Sequence, residues 1–179
     1  MKKILIVSGS PRKHGNSDLL CDAFFDGAVE AGHDVEKIFL RDKKVGFCVA
    51  CYYCQKHENQ CSIKDDMSEL LDKVEAADVI VLSSPVYFYA IAAQMKAFMD
   101  RFVSRWLKIK NKTFYYIMTS AEDGEHVMDC TLECFRGLAR CLEGSTEGGV
   151  LFAKGVYEAG KVKDTTYIMD AHNMGKSIK

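Results

Sequence analysis

Residues 4–24 read Ile4-Leu5-Ile6-Val7-Ser8-Gly9-Ser10-Pro11-Arg12-Lys13-His14-Gly15-Asn16-Ser17-Asp18-Leu19-Leu20-Cys21-Asp22-Ala23-Phe24, and they set the class of fold expected for the chain. Ile4 to Val7 is a short apolar run with β-branched residues, which predicts a strand buried on both faces. From Asp18 onward the apolar residues recur at helical spacing. Between them lies a small, cationic, glycine-containing loop. A strand–loop–helix junction of this kind offers unpaired backbone N–H groups and the positive end of a helix dipole to an anion. Ser10, Asn16 and Ser17 add side-chain donors, and Arg12 can make a forked, charge-assisted bond to a phosphate. Two familiar phosphate loops do not match: Asn16 stands where a Walker loop needs lysine, and Ser10-Pro11 replaces the close glycine pair of a dinucleotide turn. On the loop alone, a polar turn with Asn16 or Ser17 as an ordinary N-cap stays open beside the phosphate reading.

Outward from this stretch, strand-like and helix-like segments alternate. Helix 18–31 is followed by strand 35–40, helix 67–77, strand 78–83, helix 90–106, strand 113–118, helix 127–142 and strand 149–153. Such alternation predicts an α/β fold with a parallel sheet covered by helices on both faces. With the first strand, the set has five strands. No linker or internal repeat divides the chain, so residues 1–179 are expected to form a single domain. A cysteine-rich loop at about 41–65 and a C-terminal arm at about 156–179 would lie outside the alternation. In sheets of this type ligands bind beyond the carboxyl ends of the strands, where strand order reverses. The unusual residues gather there: the Ser10 loop, then Ser84-Pro85-Val86-Tyr87-Phe88-Tyr89, then Thr119-Ser120-Ala121-Glu122-Asp123-Gly124. Both prolines of the chain, Pro11 and Pro85, lie in these loops. The aromatic loop can flank a flat ring, or it can simply pack against a neighbouring helix or subunit.

Composition is that of an ordinary globular protein, 48% hydrophobic and 27% charged, with 24 basic against 25 acidic residues. Nothing in that balance suits nucleic acid or an anionic membrane surface. Met1-Lys2-Lys3 precedes an apolar run that Ser8 breaks, too short for a signal peptide or a membrane span, so a cytoplasmic protein with reduced thiols is expected.

Three motifs in order now carry a resemblance. Gly9-Ser10-Pro11-Arg12 with Gly15-Asn16-Ser17, then Ser84-Pro85-Val86-Tyr87-Phe88, then Lys96-Ala97-Phe98-Met99-Asp100-Arg101, resemble the flavodoxin-like NADPH-dependent FMN reductase family over about residues 3 to 155. The resemblance implies a flavodoxin-like three-layer sandwich with strand order 2-1-3-4-5, and an enzyme that oxidises NAD(P)H, reduces FMN and passes electrons to a flavin, a quinone, a small aromatic or a redox protein. It implies that Ser10, Arg12, Asn16 and Ser17 hold the FMN phosphate. Pro85, Val86, Tyr87 and Phe88 would line the isoalloxazine, with Thr119, Ser120 and Gly124 near its far edge. Lys96 and Asp100 read as a helical i,i+4 pair.

A second chemistry lies in Cys48-Val49-Ala50-Cys51-Tyr52-Tyr53-Cys54 with Cys61 after six intervening residues. Three thiols at x2, x2 spacing and a fourth nearby resemble the start of a bacterial ferredoxin arrangement. They are also similar to the compact cysteine motif of iron–sulfur flavoproteins, which Asp65-Asp66-Met67 continues. A [4Fe–4S] cluster, four empty thiols and a zinc site all remain open on spacing alone. Cys130, Cys134 and Cys141 fall at helical spacing with Val127 and Leu138 and read as buried thiols, as does Cys21. His57 sits among the cysteines and could replace a ligand, and His14 could approach a cofactor. The other histidines carry no partner pattern, and no side-chain acid–base set is needed where a flavin supplies the chemistry. The expected function is therefore an FMN-dependent oxidoreductase, with a non-catalytic iron–sulfur electron carrier or a redox- or metal-sensing module as alternatives. Aromatic residues in the Pro85 loop and at Phe98, Phe102 and Trp106 predict a homo-oligomer, a dimer or tetramer.

Overall fold

The computed structural model describes residues 1–179, the side chain of Glu125 excepted. Strands β1 (Lys3–Ser8), β2 (Asp34–Phe39), β3 (Val79–Tyr87), β5 (Thr113–Thr119) and β6 (Thr146–Ala153) form a parallel sheet in the order β2-β1-β3-β5-β6. The register runs Ile4 beside Val79 and Val79 beside Thr113, with a bulge in the β5–β6 pairing between Phe114 and Tyr115. Helices α1 (Asn16–Glu30) and α6 (Tyr167–Lys176) cover one face; α3 (Met67–Ala76), α4 (Ala93–Asp100) and α5 (Asp129–Arg140) cover the other, and α2 (Tyr53–Lys56) is a single turn within the cysteine-rich loop.

The continuous apolar runs of the central strands have a simple cause. Successive side chains point to opposite faces, and both faces are covered. Leu5, Val7, Ile80, Leu82, Phe114 and Tyr116 enter the core beneath α3, α4 and α5. Ile4, Ile6, Val79, Val81, Tyr115 and Ile117 enter the core beneath α1 and α6. The edge strand β2 instead alternates exposed and half-buried residues from Asp34 to Lys37, with Ile38 alone buried.

The sheet has six strands rather than the five expected. β3 runs on past Ser84 and turns back through β4 (Ala90–Ile91), which pairs with it antiparallel. Tyr87 pairs with Ala90, so Phe88 and Tyr89 form a two-residue hairpin turn, with φ of 50° and 62°. Both central residues then sit in the left-handed region, which Asn-Gly adopts easily and an aromatic pair adopts only with strain. The helix expected over 90–106 is accordingly shorter. It starts at Ala93, tightens into a 3-10 turn at Arg101–Ser104 and ends before Trp106. Phe98 and Phe102 lie in the core rather than on an apolar surface.

On α5 the buried side chains are Thr131, Leu132 and Phe135. Cys130 and Cys141 are exposed and Cys134 is half-buried, against the expectation of three core thiols. They flank the packed stripe instead of sharing it. Cys21 is fully buried, as expected. The C-terminal arm forms a 3-10 turn at Lys161–Asp164 followed by α6. α6 crosses α1 with the backbones nearly touching: a Cβ on Gly27 would lie 2.0 Å from the His172 carbonyl oxygen, and one on Gly175 2.2 Å from that of Phe24. Glycine on both helices permits that approach. Among the described residues no helix is long and apolar enough to cross a membrane.

Candidate functional site

The carboxyl ends of β1, β3 and β5 open on a common cleft. Ser10, Arg12, Asn16 and Ser17 line it from the first loop, Pro85, Val86 and Tyr87 from the end of β3, and Thr119 and Ser120 from the end of β5. Phe88 and Gly124 are not in its lining; Phe88 projects fully into solvent from the hairpin tip.

The first loop is held by its own polar groups. Ser10 Oγ accepts the Arg12 N–H and donates to the Arg12 carbonyl, each at 3.2 Å. Gly15 is the N-cap of α1 and offers no side-chain acceptor, so the helix N-terminus opens toward the cleft uncapped. A Cβ on Gly15 would come within 3.1 Å of Arg12 Cβ. The Arg12 guanidinium is exposed and makes no hydrogen bond or ion pair with another described residue. An uncapped helix end beside an unpaired guanidinium is a site for an anion. The residues thus suit the phosphate of FMN.

Beneath the loop, Asp18 accepts the His14 N–H at 2.7 Å and pairs with Lys37, which also pairs with Asp22. Burial alone would lower the Lys37 pKa, but the two carboxylates outweigh it and raise it. Burial pushes the neighbouring Cys21 thiol up to about 12.

Several of the expected site hydroxyls and amides are already engaged. Asn16 Nδ2 donates to the carbonyls of Val156 and Glu158, both at 2.9 Å, and its Oδ1 accepts the Val162 N–H at 3.1 Å. Its side chain therefore anchors the C-terminal arm, and only its backbone N–H is left to serve an anion. Ser17 Oγ bonds Thr119 Oγ1 at 2.7 Å and joins α1 to the end of β5. Ser120 Oγ donates to the Glu122 carbonyl. Ser84 Oγ, buried, donates to the Pro85 carbonyl and accepts the Ala92 N–H, which pulls the aromatic hairpin back onto β3. Tyr89 donates to the Glu122 carboxylate at 3.3 Å and stacks on His126. Val156, Tyr157 and Ala159 also line the cleft and were not selected from sequence. No local pattern marks them, since Asn16 reaches them across 140 residues.

The four cysteines Cys48, Cys51, Cys54 and Cys61 line a second cavity of about 230 Å³ beside Val49, Ile63, Val103 and Arg101. Ala50 and Tyr52, either side of Cys51, take left-handed backbone at φ of 51° and 57°. The Ser62 hydroxyl and the Tyr53 backbone hold the Cys51 thiol below its usual pKa. Among the described residues no three Cys, His, Asp or Glu side chains converge closely enough to hold a single metal ion. His57 stacks on Tyr53 at 3.7 Å and bonds its carbonyl rather than joining the thiols.

The last residue of the third sequence motif, to which the sequence assigns no role, governs this loop. Arg101 is 2% exposed, and its guanidinium forks onto Asp65 at 2.7 and 3.0 Å while donating to the Gly46 carbonyl at 2.8 Å. Asp65 also accepts the N–H groups of Gly46 and Met67. Burial would raise the Asp65 pKa, but the Arg101, Gly46 and Met67 hydrogen bonds outweigh it and hold it below the usual value. Among the described residues Arg101 Nε is buried without a hydrogen-bond partner. A buried cation with a spare donor, set in an apolar cavity with four thiols, suits an anionic thiolate-bound cluster. The exposed Lys96–Asp100 pair forms as expected one turn away.

A family model for NADPH-dependent FMN reductase matches residues 2–138. The chain is 45% identical over 107 residues to an iron–sulfur flavoprotein of Methanocaldococcus jannaschii, covering 60% of this chain and 54% of that protein. It is 40% identical over 101 residues to an iron–sulfur flavoprotein of Methanosarcina thermophila, covering 56% and 52%. The chain spans about half the length of these curated relatives. An azoreductase structure from Bacillus anthracis superposes with a TM-score of 0.77 over 99% of this chain and 100% of that one, at 14% identity, a likeness of fold alone. With the match reaching from the first strand through most of α5, the chain belongs to the NADPH-dependent FMN reductase family.

Proposed function

We propose that the protein is an FMN-dependent oxidoreductase that draws hydride from NAD(P)H and hands electrons to a flavin, quinone, small aromatic or redox-protein acceptor. The observation that carries this reading is the cleft at the carboxyl ends of β1, β3 and β5, where the uncapped α1 N-terminus meets the unpaired Arg12. FMN, when bound, supplies hydride acceptance and electron release. The chain's own residues bind and orient. Backbone N–H groups of Asn16 and Ser17, the Ser10 loop and Arg12 hold the phosphate, and Pro85, Val86 and Tyr87 form the wall for the flat ring, with Phe88 at its rim. Thr119 and Ser120 shape the far side through their backbone, since their hydroxyls are engaged. Gly124 contributes through the turn that sets Glu122 under Tyr89. No side chain needs to exchange a proton at this stage.

In the same reading Cys48, Cys51, Cys54 and Cys61 bind a [4Fe–4S] cluster. Room for several atoms in the cysteine cavity supports a cluster over a zinc ion, whose four ligands would close directly on it. The whole chain acts as one FMN domain in a reducing compartment. Exposed Phe47, Tyr52, Phe88, Trp106 and Leu107 support a homo-oligomer. Electron carriage without catalysis is the second reading, favoured by a cysteine cavity that reaches the surface.

Anaerobically purified protein, reconstituted with FMN, iron and sulfide, tests these readings together. Bleaching of the flavin bands by NAD(P)H, with steady turnover once an acceptor is added, is the expected result. Flavin binding without NAD(P)H turnover leaves the carrier, and no flavin binding ends the FMN reading. Absence of about four irons per chain ends the cluster.

A further inference from the structure

The strand β6 ends at Ala153, and the six residues after it make the fourth side of the cleft. This segment lies beyond residue 138, where the family match stops. Gly155 and Gly160 take left-handed backbone at φ of 67° and 83°, so the chain is bent at both ends of the segment. It is fixed from two directions. The Gly155 and Val156 N–H groups donate to the Glu122 and Ser120 carbonyls at 3.1 and 2.8 Å. From the opposite side the buried Asn16 side chain takes the Val156 and Glu158 carbonyls and the Val162 N–H. The carbonyls bonded to Asn16 come from the two neighbours of Tyr157. Tyr157 itself is left 69% exposed at the cleft, a large aromatic ring on a rigid mount with nothing covering it.

We propose that Tyr157 is a cofactor-contacting residue, its ring covering the phosphate-proximal end of FMN, and that Asn16 is the positioning residue that sets it there. The proposal rests on the FMN reading above. It explains why the helix N-terminal asparagine spends its whole side chain on a segment 140 residues away. The same residue presents a backbone N–H to the phosphate and holds the lid-forming segment over it, so the phosphate loop and the arm are one unit. A ring packed over the ribityl–phosphate end shields the charged contacts from water, which strengthens them.

The test measures FMN release from the full chain by stopped-flow flavin fluorescence, with the bound-flavin visible circular dichroism as a second readout. Tyr157→Ala is expected to release FMN about three- to ten-fold faster, the range for burying about half of one ring against the ribityl chain. Tyr157→Phe should keep the wild-type rate, since the ring is retained. Asn16→Asp, which loses both donors but keeps the Val162 acceptor, should resemble Tyr157→Ala in release rate and alter the flavin dichroism. Tyr157 is on the surface, so its variants report even where Asn16→Asp fails to fold. Normal FMN binding with unchanged release in Tyr157→Ala overturns this inference and leaves the FMN reading standing. No FMN binding by the wild type overturns both.

Discussion

Replacing Asp65 by Asn removes one charge from the buried Arg101–Asp65 pair while keeping nearly the same volume. Arg101 is 2% exposed and would keep its charge with only neutral acceptors close by, the Gly46 carbonyl and the one side-chain oxygen left at position 65. The new amide nitrogen would also face donors: whichever oxygen it replaces, it confronts an Arg101 N–H together with the N–H of Gly46 or Met67. Breaking a buried pair from one side costs about 3–5 kcal/mol, because the other charge is stranded. Set against a total of about 5–15 kcal/mol for a domain, that is a large fraction, and it corresponds to a fall of roughly 6–20 °C in Tm at this size. Guanidinium unfolding followed by far-UV circular dichroism measures it, with Lys96→Ala as the control. Lys96 pairs with Asp100 on the same helix but at about half exposure, where a pair is worth about 0–1 kcal/mol. The pH dependence supplies a second arm. Asp65 titrates below its unfolded value, so its contribution is complete above the ordinary aspartate range and fades as pH falls through the folded pKa. Wild type should lose stability on acidification by a component that Asp65→Asn lacks. A variant within 1 kcal/mol of wild type at pH 7, with the same acid profile, would refute the reasoning.

Further predictions concern separate parts of the molecule. Arg12→Ala should raise the FMN Kd by about 10–150-fold, equivalent to about 1.5–3 kcal/mol for a charge-assisted bond, and Ser17→Ala by less; calorimetric titration showing equal affinities would return the loop to an ordinary turn. Gly27→Ala improves helix propensity by about 1 kcal/mol, yet its Cβ would meet the His172 carbonyl at 2.0 Å, so a net loss of about 1–3 kcal/mol in thermal unfolding is predicted. A more stable Gly27→Ala would contradict the close helix crossing. Cys21, with its thiol pushed up to about 12, should stay unmodified by iodoacetamide at pH 8 while exposed Cys130 and Cys141 react, as intact and peptide mass spectrometry would show.

The parts of the fold legible in sequence are those whose signals are local. β1, the Ser10 loop and α1 follow one another within 28 residues, and the apolar runs of β3 and β5 report burial on both faces directly. The β3–β4 hairpin is different. Its turn is Phe88-Tyr89, without the Asn or Gly that marks such turns, and the apolar residues after it continue a helical spacing that masks the strand. Along α5 and its C-cap the cysteine spacing marks one face but not its burial, and that face lies beside the packed stripe of Thr131, Leu132 and Phe135. The cleft was legible as three loops and illegible as a whole. Asn16 looks like a phosphate donor until the partners of its side chain, at Val156, Glu158 and Val162, are seen. Arg101 looks like the end of an exposed helix, and only tertiary structure brings Asp65 to it.

The neck of the cysteine loop has a consequence for how such a chain can change over generations. Gly46 and Asp65 are bonded to each other and to Arg101, and Lys44 N–H and carbonyl are bonded to Asp66, so the 18 residues from Phe47 to Lys64 leave the sheet and return to the same point. Most of them are exposed, and none contributes to either core. Closure entropy rises only with the logarithm of loop length, so a segment with joined ends can be lengthened, trimmed or exchanged at little thermodynamic cost to its host. The loop is thus a cassette: descendants could gain, alter or shed its thiols while the sheet, the phosphate loop and the aromatic hairpin went on unchanged.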